Sequence, residues 1–396
     1  MSETVTPVPQ TIATTPLPQP LNLSISQVED AGATIVPLFM IPYDPAKPDA
    51  LKLGIPVIIT AQDPNTMTGD LPAPVLYEFD TGGKGFWANA AGLNVTGKQT
   101  HGVVYNQYAS GITYVGTATD VYVSLPSSYG LVSTQATVGL VDMLLELETV
   151  IPLTLELPTS FPIYNYFVGD FGASLQATQS SPVLKHSVFE KKLPADIAQM
   201  LGVLSQIPYK NGAGFIIDVV NTEPYDGTDL PAGTRIGRLI LGGIDSLASS
   251  FPFASPMKSP GDYQQLFTGG TSVTTYEESV IAGTAYVQAS EAQPASATDV
   301  PFILDTGATL TTFYGGTNLG PKMAPKKGDT IVLNAESGQT LLNFVAGDVS
   351  CRNQTKWSTG HGEQGSINTG LAPFRKYPVL YNLSNGTVAF PAPATP

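Results

Sequence analysis

The sequence is poor in cysteine, in charged residues and above all in basic residues. Cys351 is the single cysteine among 396 residues, so no disulfide can form within the chain. Charged residues make up only 13% of the chain, and 18 Lys and Arg stand against 32 Asp and Glu, which gives a net charge of −14. Because nucleic-acid binding needs a basic surface, this composition argues against a nucleic-acid partner.

Long apolar runs are also missing. No stretch approaches the roughly 20 apolar residues that a membrane helix needs, so we expect no membrane partner. Residues 1–20 contain neither Lys nor Arg and no continuous apolar run, so they lack both parts of a secretory signal. We therefore expect a cytoplasmic protein if the chain is full length, and a secreted or vacuolar one if a leader has been removed.

Glycine and proline are abundant, with 39 and 34 residues, and they separate many short runs rich in Val, Ile, Thr and Tyr. This pattern predicts an all-β fold, in which only residues 141–150 and 195–204 have a helical pattern. A chain of this length exceeds one ordinary core. We expect a flexible Pro/Thr-rich arm at 1–20, an N-terminal lobe at 21–210 and a C-terminal lobe at 211–396.

Two identical triplets carry the chemistry that the sequence predicts. Asp80 begins the first Asp-Thr-Gly and Asp305 begins the second, and each aspartate follows an apolar run that reads as a buried strand. An acid at the buried end of a strand is unfavourable unless it is hydrogen-bonded or used. Two acids in matching contexts, one in each half, predict a duplicated half-structure that brings two carboxylates together.

Around these triplets the chain resembles the pepsin-like (A1) family of aspartic proteases. Residues 79–87 (FDTGGKGFW) resemble the family's first catalytic motif, and residues 303–310 (ILDTGATL) resemble the second. Residues 239–245 (LILGGID) and 374–390 are similar to strands of the family's C-terminal lobe. The matching fragments come in the family's order over about residues 30–392. The resemblance implies a bilobal fold of two β-barrel-like lobes with a central cleft.

The resemblance further implies that Asp80 and Asp305 form a catalytic dyad. Two carboxylates this close share a proton, so that one activates a water molecule and the other polarises the scissile carbonyl. Two threonines would lock the loops together, and two glycines would let backbone N–H groups approach the carboxylates. These supporting residues are Thr81, Gly82, Thr306 and Gly307. The chemistry requires no metal and no cofactor.

The segment after Val104 resembles the hairpin that covers the cleft in this family, called the flap. The resemblance implies that Tyr105 covers the cleft and that its hydroxyl bonds to Trp87. Because the loop is longer than usual, Tyr108 is an alternative to Tyr105 as the functional aromatic residue. Residues 169–172 (GDFG) look like a kinase magnesium motif, but the other kinase motifs are absent, so we assign them no function.

Two positions depart from the family. Gly83 and Ala308 stand where its members usually have Ser or Thr, whose hydroxyls bond the outer oxygens of the two aspartates. Losing both donors should raise the apparent pKa of the dyad.

The leading prediction is a monomeric aspartic endopeptidase that hydrolyses a polypeptide substrate through water. One alternative is acid-base catalysis on a small molecule, such as a cyclisation or isomerisation in biosynthesis. This alternative draws on the altered residues beside the dyad. A second alternative is a homologue that binds a ligand in the cleft without turnover, against which the retention of both aspartates argues.

Overall fold

The computed structural model of the chain describes residues 12, 14–44, 46, 50–89, 93, 95, 98–108, 112–146, 166–180, 197–266, 270–277, 280–289, 293–347, 354–359 and 364–392. For residues 143–146 and 280 it describes the backbone alone. Cys351 lies outside the described residues.

Strands dominate both halves of the chain. Those of the first half are β1 (Thr34–Pro42), β2 (Leu51–Thr60), β3 (Val75–Asp80), β4 (Phe86–Asn89), β5 (Thr100–Gln107), β6 (Ile112–Ser127), β7 (Gly130–Glu146) and β8 (Gly169–Gly172). Those of the second half are β9 (Gly214–Pro224), β10 (Arg235–Leu241), β11 (Phe253–Pro256), β12 (Gly261–Gln264), β13 (Ser272–Thr275), β14 (Val280–Gln288), β15 (Ala295–Ile303), β16 (Thr311–Tyr314), β17 (Thr330–Ala335), β18 (Thr340–Val345), β19 (Thr355–Ser358), β20 (Ser366–Asn368), β21 (Val379–Asn382) and β22 (Thr387–Phe390).

The helices of the described residues are short. They are α1 (Ile25–Asp30), α2 (Ile244–Leu247) and three 3₁₀ turns at Val203–Ser205, Ala248–Ser250 and Pro321–Met323. Helix α1 begins at a capping box, in which Ser24 and Gln27 each bond the other's backbone N–H. None of the described helices is long and apolar enough to cross a membrane. The predicted all-β fold class is confirmed.

One sheet runs through both halves of the molecule. Its thirteen strands lie in the order β11-β22-β21-β9-β10-β1-β2-β3-β8-β4-β7-β6-β5, and β1 joins the halves because it pairs antiparallel with β10. Seven strands of the second half form another sheet in the order β18-β17-β14-β15-β20-β16-β19. The predicted lobe boundary at residue 210 falls between β8 and β9 and stays a prediction, since the large sheet continues across it.

The strands around the two Asp-Thr-Gly triplets repeat the same arrangement. In the first half β3 runs parallel to β8, and β8 runs antiparallel to β4. In the second half β15 runs parallel to β20, and β20 runs antiparallel to β16. Asp170 on β8 pairs with Glu78 and Trp87, which lie two residues before and seven after Asp80. Asn368 on β20 pairs with Ile303 and Thr312, which lie two residues before and seven after Asp305. Asp170 and Asn368 are therefore equivalent positions of a duplicated unit.

Both helix predictions are wrong in the described residues. Residues 141–146 belong to β7, where they continue the long antiparallel pairing with β6, and 147–150 lie outside the described residues. Of residues 197–204 only the last two enter a 3₁₀ turn, at Val203–Ser205, while 195 and 196 are not described. The described part of the predicted arm lies against the second half, where Thr15 exchanges two hydrogen bonds with Thr340.

Candidate active site

The two Asp-Thr-Gly loops meet back to back through their threonines. The backbone N–H of Thr81 donates to Thr306 Oγ1, and that of Thr306 donates to Thr81 Oγ1, both at 2.9 Å. Each hydroxyl also donates to a backbone carbonyl just before the other loop. Thr81 Oγ1 donates to Leu304 O at 2.7 Å, and Thr306 Oγ1 donates to Phe79 O at 2.8 Å. Both threonines are buried, so these four bonds hold the loops in one fixed relation.

The glycines of the triplets allow the two carboxyl groups to come together. A Cβ at Gly82 would lie 2.7 Å from the carboxyl carbon of Asp305, and a Cβ at Gly307 would overlap the carboxyl group of Asp80. Only glycine therefore fits at either position. In addition, the Gly82 N–H donates to Asp80 Oδ1 and the Gly307 N–H donates to Asp305 Oδ1, both at 2.8 Å.

Asp80 is buried among other acids, whereas Asp305 is partly exposed. Burial raises the pKa of Asp80 well above its ordinary value, and the negative charges of Asp305, Asp170 and Glu78 raise it further. A hydrogen bond shared with the Asp305 carboxyl acts in the same direction. The surroundings of Asp80 thus favour its protonated form more than water does, as expected for one member of a pair that shares a proton.

Asp305 accepts three hydrogen bonds from the protein. Its Oδ1 accepts from the N–H groups of Gly307 and Ala308, the second at 3.2 Å, and its Oδ2 accepts from the Asn368 side-chain amide at 2.5 Å. The Gly370 N–H donates to Asn368 Oδ1 at 2.9 Å, which fixes the amide with its NH₂ toward Asp305. Although Ala308 has no hydroxyl, the outer oxygen of Asp305 keeps a donor in the Asn368 amide.

On the Asp80 side of the site, Asp170 lies beside Gly83, the other position at which the hydroxyl usual in the family is missing. The point where a Cβ of Gly83 would sit lies 2.9 Å from Asp170 Oδ2 and 3.0 Å from Asp80 Oδ2, so the two carboxyl groups are neighbours. Asp170 is 2% exposed, its Oδ2 accepts from the Tyr108 hydroxyl, and its Oδ1 has no hydrogen-bond partner among the described residues. Burial and the charge of Glu78 raise the pKa of Asp170 well above its ordinary value.

A buried ion pair completes this cluster. Lys52 on β2 bonds Glu78 on β3 at 2.5 Å, and both side chains are about nine-tenths buried. The same ammonium group also donates to the backbone carbonyl of Gly307 in the second loop. Because a buried charge is stable only when it is paired, each member of this pair needs the other.

The structure places Tyr108, at the end of β5, over the Asp80 side of the site. Its hydroxyl bonds Asp170, and its ring packs edge-on against Tyr114 with 5.7 Å between centroids. Trp87 is fully buried and stacks on Tyr114, and its indole N–H donates to the Lys84 carbonyl at 2.8 Å, so the implied bond between Trp87 and Tyr105 is not made. Tyr105 lies on β5 and is buried.

Four polar residues of the site were not predicted from the sequence. They are Asp170, whose segment resembles a kinase motif, and three others: Lys52, Glu78 and Asn368. Lys52, Glu78 and Asp170 each interrupt a short run that is otherwise apolar, and this is the signal in the sequence that could find them, whereas Asn368 has no such signal. Within the described residues, no group of three or more His, Cys, Asp or Glu is arranged to hold a metal ion.

Comparison with known proteins connects this geometry to a fold. The structure is similar to the crystal structure of an aspartic proteinase from Irpex lacteus, with a TM-score of 0.52 and 13% sequence identity over 91% of this chain and 98% of that chain. No family model matches the sequence, and neither does any curated protein. At this identity the likeness shows the fold alone, which is the all-β, bilobal architecture of the pepsin-like proteinases.

Proposed function

We propose that the protein is an aspartic endopeptidase that hydrolyses peptide bonds through water activated by Asp80 and Asp305. The observation that carries this proposal is the contact of two carboxyl groups from equivalent loops, which the bonds between Thr81 and Thr306 lock together. The likeness of the fold to an aspartic proteinase supports the same reaction class.

The proposed reaction needs only the dyad, a water molecule and the substrate. The ionised carboxylate takes a proton from water while the water oxygen attacks the scissile carbonyl carbon, and the protonated carboxyl gives its proton to the carbonyl oxygen. The resulting gem-diol returns one hydroxyl proton to the second carboxylate. The first carboxyl then protonates the amide nitrogen as the C–N bond breaks. Both protons are thereby restored, and one water molecule is consumed for each bond cleaved.

The test is cleavage of denatured proteins and peptide libraries between about pH 3 and pH 7, the range in which carboxyl groups with raised pKa values titrate. We expect cleavage that pepstatin inhibits and that Asp80→Asn or Asp305→Asn lowers by at least about 10⁴-fold, because either change removes half of a unit that works together. Asp142→Asn, at an exposed position on β7, is the matched control and should retain activity. Cleavage that survives both dyad variants would contradict the proposal.

The second candidate is acid-base catalysis on a small molecule by the same dyad. The observation that favours it is the pair of additional polar groups beside Asp80, the carboxyl group of Asp170 and the hydroxyl of Tyr108. Such groups can position several polar atoms of a compact substrate. A folded protein that cleaves no peptide at any pH in the test range would favour this candidate over the endopeptidase.

A further inference from the structure

The two halves of the site have the same backbone arrangement, but one pair of equivalent positions carries an acid in the first half and an amide in the second. Asp170 and Asn368 pair with corresponding residues of the two units, and each approaches the outer oxygen of the nearby aspartate. Asn368 offers an amide NH₂, which can only donate from that group. Asp170 offers a carboxyl group, which lacks the two N–H donors of an amide and which, when ionised, opposes a second negative charge on Asp80. The asymmetry of the dyad therefore has a defined structural source.

Hydrogen bonding to the charged form of an acid favours ionisation, and a neighbouring negative charge opposes it. Asp305 accepts two backbone N–H groups and the Asn368 amide. Asp80 accepts one backbone N–H, that of Gly82, within the described residues. The donors thus stabilise a negative charge on Asp305 more than on Asp80.

The acidic groups around Asp80 also oppose a negative charge on Asp80. Asp170 approaches it from β8, and Glu78 lies two residues before it on β3. Lys52 pairs with Glu78, and its positive charge lies toward the Asp305 loop because its ammonium group also bonds the Gly307 carbonyl. Tyr108 contacts Asp170 from the flap, and burial together with the nearby charge of Asp170 raises the pKa of its hydroxyl, which stays a donor.

We propose that Asp80 is the protonated member of the dyad and Asp305 the ionised member, and that Asp170 and Asn368 are the positioning residues that fix this polarity. The roles that follow rest on the proposed function. Asp305 takes the proton from the attacking water, and Asp80 gives its proton to the carbonyl oxygen of the peptide. The raised pKa of Asp80 agrees with this assignment.

The first test is the pH profile of kcat/KM for variants at the two positions. Asp170→Asn removes an acid beside Asp80 and supplies a donor, so the alkaline limb, where Asp80 loses its proton, should move to lower pH by about one unit. Asn368→Asp removes the amide donor to Asp305 and places an acid beside it, so the acid limb of the profile should move to higher pH by about one unit. Asp142→Asn is the control and should move neither limb.

A purely structural role predicts a different result, in which activity falls at every pH and neither limb moves. That result would overturn the proposal, as would limbs that move in the opposite directions. A further variant separates packing from hydrogen bonding. Asp170→Leu fills the same space without acid or donor, so the alkaline limb should move less than in Asp170→Asn.

The second test does not require turnover and therefore separates this inference from the proposed function. In protein labelled with ¹³C at the aspartate carboxyl carbons, the resonances of Asp80 and Asp305 are identified by their loss in the two Asn variants. We expect the Asp80 resonance to have the chemical shift of a protonated carboxyl group under conditions where the Asp305 resonance has that of a carboxylate, and the double variant Asp170→Asn with Asn368→Asp to exchange the two. An ionised Asp80 beside a protonated Asp305 in the unaltered protein would overturn the polarity even if peptides are cleaved. The expected polarity without any cleavage would uphold this inference and reject the endopeptidase.

Discussion

At the scale of single residues, the dyad is a source of instability at neutral pH. Asp80 has a pKa well above its ordinary value because it is buried beside Asp305, Asp170 and Glu78. The folded state therefore binds a proton at this position more tightly than the unfolded state does. Below the ordinary pKa of aspartate both states are protonated and stability is unaffected. As pH rises above that value the unfolded state loses its proton first, so stability falls until the folded pKa is passed.

Asp80→Asn should for this reason be more stable than the unaltered protein at neutral pH. The gain should be about 1.4 kcal/mol for each pH unit between the two pKa values, and it should vanish in acid, where Asp80 is neutral in both states. The asparagine oxygen can still accept from the Gly82 N–H, so the loop geometry is retained. Urea unfolding at several pH values measures the difference.

Asp142→Asn, on the exposed face of β7, controls for the general effect of an asparagine. A loss of stability in Asp80→Asn at neutral pH would contradict the prediction. The same comparison bears on function, because catalytic sites commonly keep groups that lower stability.

Residue identity alone predicts the dyad but not the residues that surround it. The pair Asp80 and Asp305 can be read from the sequence because a turn motif repeats in equal contexts. The neighbourhood of Asp170 cannot be read in this way, since it depends on a parallel pairing between β3 and β8 that are about ninety residues apart in the chain. The sequence likewise does not show that the Asn368 amide replaces the hydroxyl missing at Ala308, because Asn368 reaches the site through the pairing of β15 with β20.

At the scale of elements, the hairpin of β5 and β6 is held to the rest of the site at its tip. The Tyr108 hydroxyl bonds Asp170 on β8, and the ring packs against Tyr114 within the hairpin. Tyr108→Phe removes the hydroxyl and keeps the ring. A hydrogen bond of this kind contributes about 0.5–1.5 kcal/mol, so amides near the tip should exchange with solvent up to about 10-fold faster.

Hydrogen exchange followed by mass spectrometry measures this change in peptides that cover residues 100–120. Tyr129→Phe is a matched control, because Tyr129 bonds Glu29 at the opposite end of the β6–β7 hairpin. It should leave the exchange of residues 100–120 unchanged. Equal exchange at the tip in Tyr108→Phe and in the unaltered protein would show that the contact with Asp170 does not hold the hairpin.

The same part of the fold shows where element prediction fails. Residues 141–150 (VDMLLELETV) are rich in good helix formers, yet residues 141–146 are in β7. There the backbone pairs with β6 to the end of both strands, where Glu146 pairs with Ile112. Helix propensity is a weak preference of a few tenths of a kcal/mol per residue, and an unbroken ladder with a neighbouring strand outweighs it. Strand content was predictable from composition, but this pairing was not.

At the scale of the whole molecule, the duplicated halves share both backbone and active-site hydrogen bonds. The large sheet passes from one half to the other through the pairing of β1 with β10, which extends from Thr34 to Met40. The active-site loops are joined by the bonds between Thr81 and Thr306. Since the backbone ladder and the loops are both shared, neither half keeps its full set of hydrogen bonds when the other unfolds. We therefore expect the halves to unfold together.

The two tryptophans of the chain allow this to be measured, because Trp87 lies in the first half and Trp357 in the second. In Trp357→Phe the fluorescence reports on the first half, and in Trp87→Phe it reports on the second. In each variant the urea midpoint from fluorescence should coincide with the midpoint from far-ultraviolet circular dichroism, which reports on all strands. Comparing two probes within one variant removes the effect of the substitution on stability, which matters for the fully buried Trp87.

Fluorescence midpoints that fall below the circular dichroism midpoint in one variant and above it in the other would show that the halves unfold separately. In that case the lobe boundary near residue 210 would divide two independent folding units.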